Sequence, residues 1–214
     1  APLGTIEPRS IRGLRFAVAT NYLLDDLDDA VGAAFERALT ILSAAGASIE
    51  RIRIDELERL PGINAKGGFP APEVYRWHRA LIERARDRYD PRVLVRILRG
   101  ADQTAVDYLD LIDARRALIA AIDPQTVGYD ALLAPTTAIV APPIAELEAS
   151  DKAYGRANAL MLRNPSTFNF LDRCALSLPI PVDGAPVGLL VVGERMADAR
   201  LLAVGLAVEA ALAA

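Results

Sequence analysis

The sequence has 214 residues, of which 52% are hydrophobic and 24% are charged, so the chain can bury a sizeable core. Its 24 Lys and Arg against 28 Asp and Glu give a net charge of −4. No basic block stands out, which argues against a nucleic-acid partner, because binding to phosphates needs one. The longest apolar stretch, Leu201–Ala214, is too short to span a bilayer and contains Glu209. We therefore expect neither a nucleic-acid nor a membrane partner.

Cysteine and histidine are almost absent. One Cys (Cys174) and one His (His78) exclude a disulfide framework, a zinc finger and a His/Cys metal cluster. A lone cysteine fits a reducing compartment, so we expect a cytoplasmic protein. Residues Ala1–Ser10 show no signal peptide, and the chain lacks an initiator Met. We take its first residue as a processing boundary and expect the true N-terminus to lie upstream.

The first third of the chain predicts a strand, a helix and a second strand. Leu14–Ala19 is a short apolar run rich in strand formers. Ser48–Ile54 carries Ile49, Ile52 and Ile54 in loose alternation, which predicts the second strand. Between them, Asp25–Ala45 has apolar residues at helical spacing, with an acidic N-terminus and Gly46 at the position of a C′ glycine. This order favours a parallel strand pair joined by a right-handed crossover.

The middle of the chain predicts helices. Three segments carry apolar residues at helical spacing: Pro72–Asp90, Pro91–Leu98 and Thr104–Ile122. In the first segment, one side is expected to hold Val74, Trp77, His78, Leu81 and Ile82.

The last third predicts further strands and helices. In chain order they are a strand at Tyr129–Ala134, short helices at Ala153–Arg163 and Ser166–Leu171, strands at Ala175–Ile180 and Val187–Val192, and a closing helix at Ala197–Ala211. The Asp183–Gly184 turn makes the last two strands a hairpin, so the sheet should be mixed. The predicted fold class is α/β, a mixed β-sheet flanked by helices, with about five strands and about six or seven helices. We expect residues 1–214 to form a single domain.

From Tyr129 onward the residues become more specific. The segment YDALLAPTTAIVAPPI (Tyr129–Ile144) places an aspartate before a buried strand and Pro-Thr-Thr after it. It is followed by RNPSTFNFLDRCALSLPIP (Arg163–Pro181) and DGAPVGLLVVG (Asp183–Gly193). In order and spacing these segments resemble the C-terminal half of the amidase signature family. The resemblance extends over roughly Arg12–Ala211.

Two departures from the family pattern narrow this resemblance. Asp172, Arg173 and Cys174 stand where family members usually carry Gly-x-Pro, which looks more like the allophanate-hydrolase or general amidase branch. Leu162 stands where glutamine-using amidotransferase subunits place an acidic residue. The resemblance therefore argues against a tRNA-linked glutamine amidotransferase.

The chemistry that the resemblance implies is not carried by this chain. The family uses a Ser nucleophile, a second Ser in a cis peptide and a Lys base, with an oxyanion hole from a Gly/Ser-rich segment. The six serines of this chain are Ser10, Ser43, Ser48, Ser150, Ser166 and Ser177. None lies in a Gly-rich loop, no two are adjacent, and the Gly67–Gly68 pair has no serine nearby. We therefore predict no catalytic residue here and no amide hydrolysis by the chain alone.

The expected partners follow from this reading. The chain would be the C-terminal part of a longer amidase, or the partner of a separately supplied catalytic N-terminal half. It would form walls of the cleft that binds a small-molecule amide substrate. The resemblance implies no metal and no organic cofactor. The sequence leaves open whether the chain forms a homodimer. An exposed apolar patch larger than a few hundred Å² is expected on the sheet, because the missing half would cover it.

The candidate substrate-binding residues are Thr136, Thr137, Asn164 and Thr167. The two threonines 136 and 137 follow the end of a strand, where ligands bind in open α/β sheets, and the resemblance puts their loop near the acyl-binding cleft. Turn capping explains them equally well. Asn164 and Thr167 are expected to line the cleft, whereas Asn169 is expected to cap the local helix and tie down loop backbone.

Other reactive side chains receive structural explanations. We expect Cys174 to be a buried structural cysteine and His78 to pack on its helix rather than to catalyse. Asp172 and Arg173 either form a surface ion pair or reach substrate. Two further functions stay open: a non-catalytic binding module that has kept the fold, and an unrelated α/β small-molecule-binding domain.

Overall fold

The computed structural model describes residues 5–214. Two compact units form, one from Ala1–Leu57 with Ile122–Ala214 and one from Glu58–Ala121. The single domain expected over 1–214 stays a prediction. Within the described residues, no helix is long and apolar enough to cross a membrane.

The first unit contains one mixed five-stranded sheet, which confirms the predicted fold class. Its strands are β1 (Arg15–Ala19), β2 (Ser48–Ile52), β3 (Ala131–Pro135), β4 (Ala175–Ile180) and β5 (Val187–Val192), in the order β2-β1-β3-β5-β4. Strand β1 pairs parallel with β2 and β3, and β5 pairs antiparallel with β3 and β4. The predicted parallel pair and the predicted hairpin are both confirmed.

The helices are interspersed among the strands and are numbered in chain order. Over the described residues they are α1 (Asp29–Ala44), α2 (Leu60–Ile63), α3 (Pro70–Ala85), α4 (Pro91–Leu98), α5 (Ala105–Thr126), α6 (Ile144–Ala149), α7 (Asp151–Phe170) and α8 (Asp198–Leu212). Short 3-10 helices occur at Asp55–Arg59, Arg86–Arg88 and Arg99–Ala101. The sequence pattern missed α2 and α6, which have only four and six residues.

The first face of the sheet carries Phe16, Val18, Leu133, Leu189 and Val191, all in one buried cluster with apolar residues of α1 and α8. Helix α1 lies on this face because its buried side chains recur at helical spacing. The cluster's α1 members are Val31, Ala34, Phe35, Ala38, Leu39 and Leu42.

The second face of the sheet carries Ala17, Leu132, Ala134 and Leu190, which are buried outside that cluster. The chain leaves β1 through α1 to reach β2, then returns past β1 to β3. Helix α7 reaches the end of β3, where Asn164 Nδ2 donates to Pro135 O.

Two helix boundaries differ from the sequence prediction. Helix α1 begins at Asp29 rather than Asp25, because Asp28 is extended and its carboxylate accepts from Val140 N. The two predicted short helices over 153–171 are one helix, α7, which continues through Pro165. A proline removes one helical hydrogen bond, but the buried α7 side chains hold the helix, and Thr167 Oγ1 donates to the Arg163 carbonyl at 2.8 Å.

The predicted apolar side of α3 is only partly buried. Trp77 is 81% exposed, and Val74 and Leu81 are also exposed, whereas Ile82 is buried. His78 Nδ1 lies 2.7 Å from the Tyr89 hydroxyl. Helical spacing identifies which side chains share a face but not whether a face is covered.

Asp130 anchors the start of β3. Its Oδ2 accepts from Arg15 N at 2.9 Å, and its Oδ1 accepts from Arg9 at 3.0 Å and Arg200 at 3.1 Å. Burial raises the pKa of Asp130, but these hydrogen bonds and charges outweigh burial, so its pKa lies below the ordinary value. The aspartate that opens YDALLAP therefore joins β1, β3 and α8.

Replacing Asp130 by Asn should lower the free energy of unfolding by about 1–3 kcal/mol at pH 7, because charge-assisted hydrogen bonds are lost. The folded pKa is depressed, so the carboxylate's contribution is present above the unfolded value of about 3.9 and is lost as the pH falls through the folded value. Urea titrations should show the difference between wild type and Asp130→Asn closing below about pH 4. Asp113→Asn, at an exposed ion pair, is the control. A constant difference between pH 7 and pH 3 would contradict this assignment.

Candidate functional site

The carboxyl ends of the neighbouring strands β1 and β3 lie side by side at one end of the sheet. The two strands are parallel neighbours, with Phe16 opposite Ala131. From β1 the chain turns to β2 on one side, and it enters β3 on the other side. Such a point, where the connections diverge, opens the crevice in which ligands bind in α/β sheets. We call it the switch-point crevice; its loops are residues 20–28 and 136–143.

Two side chains fasten these loops together. Asp28 N donates to Ala138 O at 2.9 Å, and the Asp28 carboxylate accepts from Val140 N at 2.9 Å. Asn164 is 0% exposed, and its Nδ2 donates to Pro135 O at 2.8 Å and to Leu23 O at 3.1 Å. One buried amide from α7 therefore joins the loop after β1 to the end of β3.

Tyr22 and Arg163 add a polar wall that sequence reasoning did not single out. Tyr22 has a backbone φ of +59, which residues other than glycine rarely adopt. The Arg163 guanidinium lies 5.8 Å from the centroid of the Tyr22 ring. Arg163 also donates to Leu23 O at 3.2 Å. Burial raises the pKa of Tyr22, and burial lowers the pKa of Arg163, which the Asp25 and Asp26 charges oppose. Arg163 stands in the RNP motif, but its stacking on Tyr22 joins residues far apart in the chain.

Thr136 and Thr137 are half-buried at the mouth of the crevice. Thr136 Oγ1 lies 2.6 Å from Ser177 Oγ, and Thr137 Oγ1 donates to Ile139 O at 2.9 Å. Gly188 lies beneath the hydroxyl pair, where a Cβ atom would come within 2.6 Å of Thr136 Oγ1 and 2.7 Å of Ser177 Oγ. A side chain at 188 would therefore displace the two hydroxyls from their present positions.

The structure gives Asn164 a role that was expected of Asn169. Asn164 holds loop backbone, which the sequence analysis expected of Asn169, whereas Asn169 is exposed. Thr167 is 2% exposed and donates within α7. Thr136, Thr137, Asn164 and Thr167 thus lie around one crevice, two at its surface and two buried beneath it. Their contact with substrate stays a prediction.

Cys174 lies away from this crevice, at the opposite end of the hairpin. It is half-buried, and its Sγ donates to Glu194 O at 3.0 Å. Burial raises the pKa of the thiol, which disfavours the thiolate that a cysteine nucleophile needs. A structural role therefore fits the position.

Asp172 and Arg173 contact other residues rather than each other. Arg173 donates to Asp123 at 2.5 Å and to Thr126 Oγ1 at 2.8 Å, and its side chain is 5% exposed. Asp172 accepts from Arg195 at 3.4 Å. Neither residue reaches the switch-point crevice.

The fold and the crevice define an α/β protein with a polar site at the carboxyl ends of parallel strands. The family model described as amidase matches residues 6–202. The chain belongs to the amidase family, which confirms the resemblance found from its motifs.

Individual relatives agree with this assignment. The chain is 31% identical over 209 residues to the 2-amino-5-chloromuconic acid deaminase of Comamonas testosteroni. This alignment covers 95% of the chain and 44% of the deaminase. It is 28% identical over 207 residues to an amidase of Pseudomonas putida, with the same two coverages. A crystal structure of an amidase superposes with a TM-score of 0.80 at 28% identity, over 97% of this chain and 48% of that one. The chain therefore spans less than half the length of these proteins.

Asn164→Ala should destabilise the protein by about 1–3 kcal/mol, because the buried Pro135 carbonyl loses its side-chain donor and the Leu23 carbonyl keeps only Arg163. The control is Asn169→Ala, the same change at an exposed position on the same helix, which should cost less than about 0.5 kcal/mol. Chemical denaturation of the three proteins measures both values. Equal effects of the two changes would show that Asn164 does not hold the loops.

Proposed function

We propose that this chain is the C-terminal portion of an amidase that hydrolyses the C–N bond of small linear amides by a Ser-Ser-Lys mechanism. The family match runs through nearly the whole chain, yet the chain holds no serine in a Gly-rich loop. The nucleophile, the second serine and the lysine base therefore belong to a catalytic N-terminal half outside this sequence. This combination is the observation that carries the proposal.

In the proposed reaction, a serine hydroxyl loses its proton to the lysine base and attacks the amide carbonyl. The amine or ammonia leaves, and water then hydrolyses the acyl-enzyme. This chain contributes one wall of the cleft at the switch-point crevice. Thr136 and Thr137 offer hydroxyls to the substrate, while Asn164 and Thr167 hold the backbone beneath them. The crevice lies at the carboxyl ends of β1 and β3, where ligands bind in α/β sheets, and this position supports substrate contact by the two threonines.

The proposal includes a compartment and partners. A single free cysteine supports a reducing, cytoplasmic location. The partners are the catalytic half and a small-molecule amide, and the formal charge of −4 argues against nucleic acid. A homodimer is compatible with these features.

A non-catalytic small-molecule-binding module is the second candidate. The observation that favours it is the hydrogen bonding of the crevice, since Asp28 and Asn164 fasten both loops within this chain. Such a module would bind amides without hydrolysing them.

The purified 214-residue chain should show no turnover of simple aryl and aliphatic amides above background. The amidase polypeptide that includes the catalytic half should release amine or ammonia from the same compounds. Ammonia release and chromatography of the acid product measure both reactions. Turnover by the chain alone would place a nucleophile inside it, and binding without turnover by the longer polypeptide would favour the second candidate.

In the longer polypeptide, Thr136→Val should raise KM for amides about three- to tenfold, because the change removes one hydrogen bond and keeps the side-chain volume. Thr104→Val, at an exposed helix start in the other unit, serves as the control for hydroxyl loss. Steady-state kinetics separate KM from kcat. An unchanged KM would exclude Thr136 from substrate contact.

A further inference from the structure

Helix α3 packs into its own unit with one side and leaves the other side open. On the inner side, Ala71 and Ile82 are each 6% exposed, and His78 lies against the Tyr89 hydroxyl. On the outer side, Trp77 is 81% exposed. Tryptophan is well buried on average and is enriched where proteins bind each other, so such an open indole points to an interface.

The outer side of α3 has the spacing of a seam between two helices. Its apolar residues and one arginine follow a single line along the helix, at intervals of three, four and three residues: Val74, Trp77, Leu81 and Arg84. The three apolar side chains are 37%, 81% and 44% exposed. We call these four residues, with the neighbouring Glu73, the outer stripe. In a helix pair such a line packs against a second helix, whereas here it faces solvent.

The charges on the outer side of α3 form two pairs of opposite sign. Glu73 lies about one turn before Trp77, and Arg84 lies about two turns after it. On one flank of the stripe, Arg76 and Glu83 are seven residues apart and therefore share a face. All four charged residues are exposed. Within the part of the chain that the structure describes, Arg76 and Glu83 have no hydrogen-bonding or ionic partner, so their charges are available to another molecule.

An antiparallel pair of α3 helices would match the apolar part of the stripe with itself. A two-fold axis near Arg79 sets Trp77 of one copy level with Leu81 of the other. Each indole would then cover a leucine of the second copy, and the contact occurs twice by symmetry. The same axis sets Glu73 beside Arg84 of the second copy, to within about 1.5 Å along the helix.

The flank of the stripe is matched by the same axis. Arg76 comes level with Glu83 of the second copy, again to within about 1.5 Å along the helix. Because symmetry repeats each contact, ion pairs of both kinds surround the two indoles. In a parallel pair, every charged residue would lie beside its own like, and Glu73 would face Glu73. Charge thus selects the antiparallel arrangement.

We propose that two copies of this chain pair in solution through antiparallel α3 helices, with the outer stripe as their interface. A second copy is the occupant because the charges of the outer side are complementary to themselves. The inference goes beyond the proposed function and does not depend on it. A single pair of helices is a small interface, so the dimer should be weak and its population should rise with protein concentration.

Trp77 is the only tryptophan of the sequence, so its fluorescence reports on the interface directly. As the 214-residue chain is concentrated, the emission should move to shorter wavelength and acrylamide should quench it less, in step with dimer formation seen by sedimentation. Trp77→Ala should weaken the dimer about tenfold or more. The control Ile144→Ala removes another open apolar side chain, 76% exposed on α6, and should change the dimer constant less than about twofold.

Charge reversal tests the antiparallel arrangement. Arg76→Glu should weaken the dimer about three- to tenfold, because an attraction that occurs twice becomes a repulsion. Adding Glu83→Arg restores opposite charges across the interface and should return the dimer constant to within about twofold of wild type. Arg116→Glu makes the same charge change on α5, at an exposed pair with Asp113, and should leave dimerisation within about twofold of wild type.

Every other outcome contradicts the proposal. A chain that stays monomeric at all concentrations, or a dimer that tolerates Trp77→Ala, overturns it. A dimer that Arg76→Glu weakens and the double change fails to restore also overturns it. A monomer that binds vesicles of anionic lipid, and loses this binding in Trp77→Ala, assigns the stripe to a membrane surface. Loss of the dimer in the longer amidase polypeptide assigns the stripe to its catalytic half, and either assignment overturns the proposal.

Discussion

The candidate site depends on one buried amide. Asn164 donates to the carbonyl of Leu23 after β1 and to the carbonyl of Pro135 at the end of β3, in a place that water does not reach. Without this amide the Pro135 carbonyl would lose its buried side-chain donor, and the Leu23 carbonyl would keep only the 3.2 Å hydrogen bond from Arg163. The loss of a buried hydrogen bond is costly in a low-dielectric interior. The amide thereby fixes the separation of the two loops that line the switch-point crevice.

The continuity of α7 explains how this amide reaches both loops. Helix α7 passes through Pro165 unbroken. Its Asn164 contacts Leu23 O and Pro135 O, and its Arg163 also contacts Leu23 O. Gly188 then leaves room for the Thr136–Ser177 hydroxyls at the mouth. Asn164 on α7, Gly188 on β5 and Thr136 after β3 thus all contribute to one site.

Much of this fold could be predicted from the sequence, because apolar periodicity reports strands and helices directly. Strand β1, helix α4 and the β4–β5 hairpin lie close to their predicted bounds. The pattern failed where tertiary contacts decide. Proline 165 signals a break, yet packing of α7 overrides it, and the apolar side of α3 gives no sign that Trp77 is exposed. Periodicity also cannot show which strand edge is left open.

The site was less predictable than the fold. Thr136 and Thr137 could be found because they follow a strand, but Tyr22 and Arg163 come together only through the fold. The central claim is that the attacking serine lies outside this chain. A fluorophosphonate probe reacted with the active amidase polypeptide, followed by peptide mass mapping, tests it most directly. We predict a label on a serine outside these 214 residues; a label on any of the six serines within them would contradict the claim.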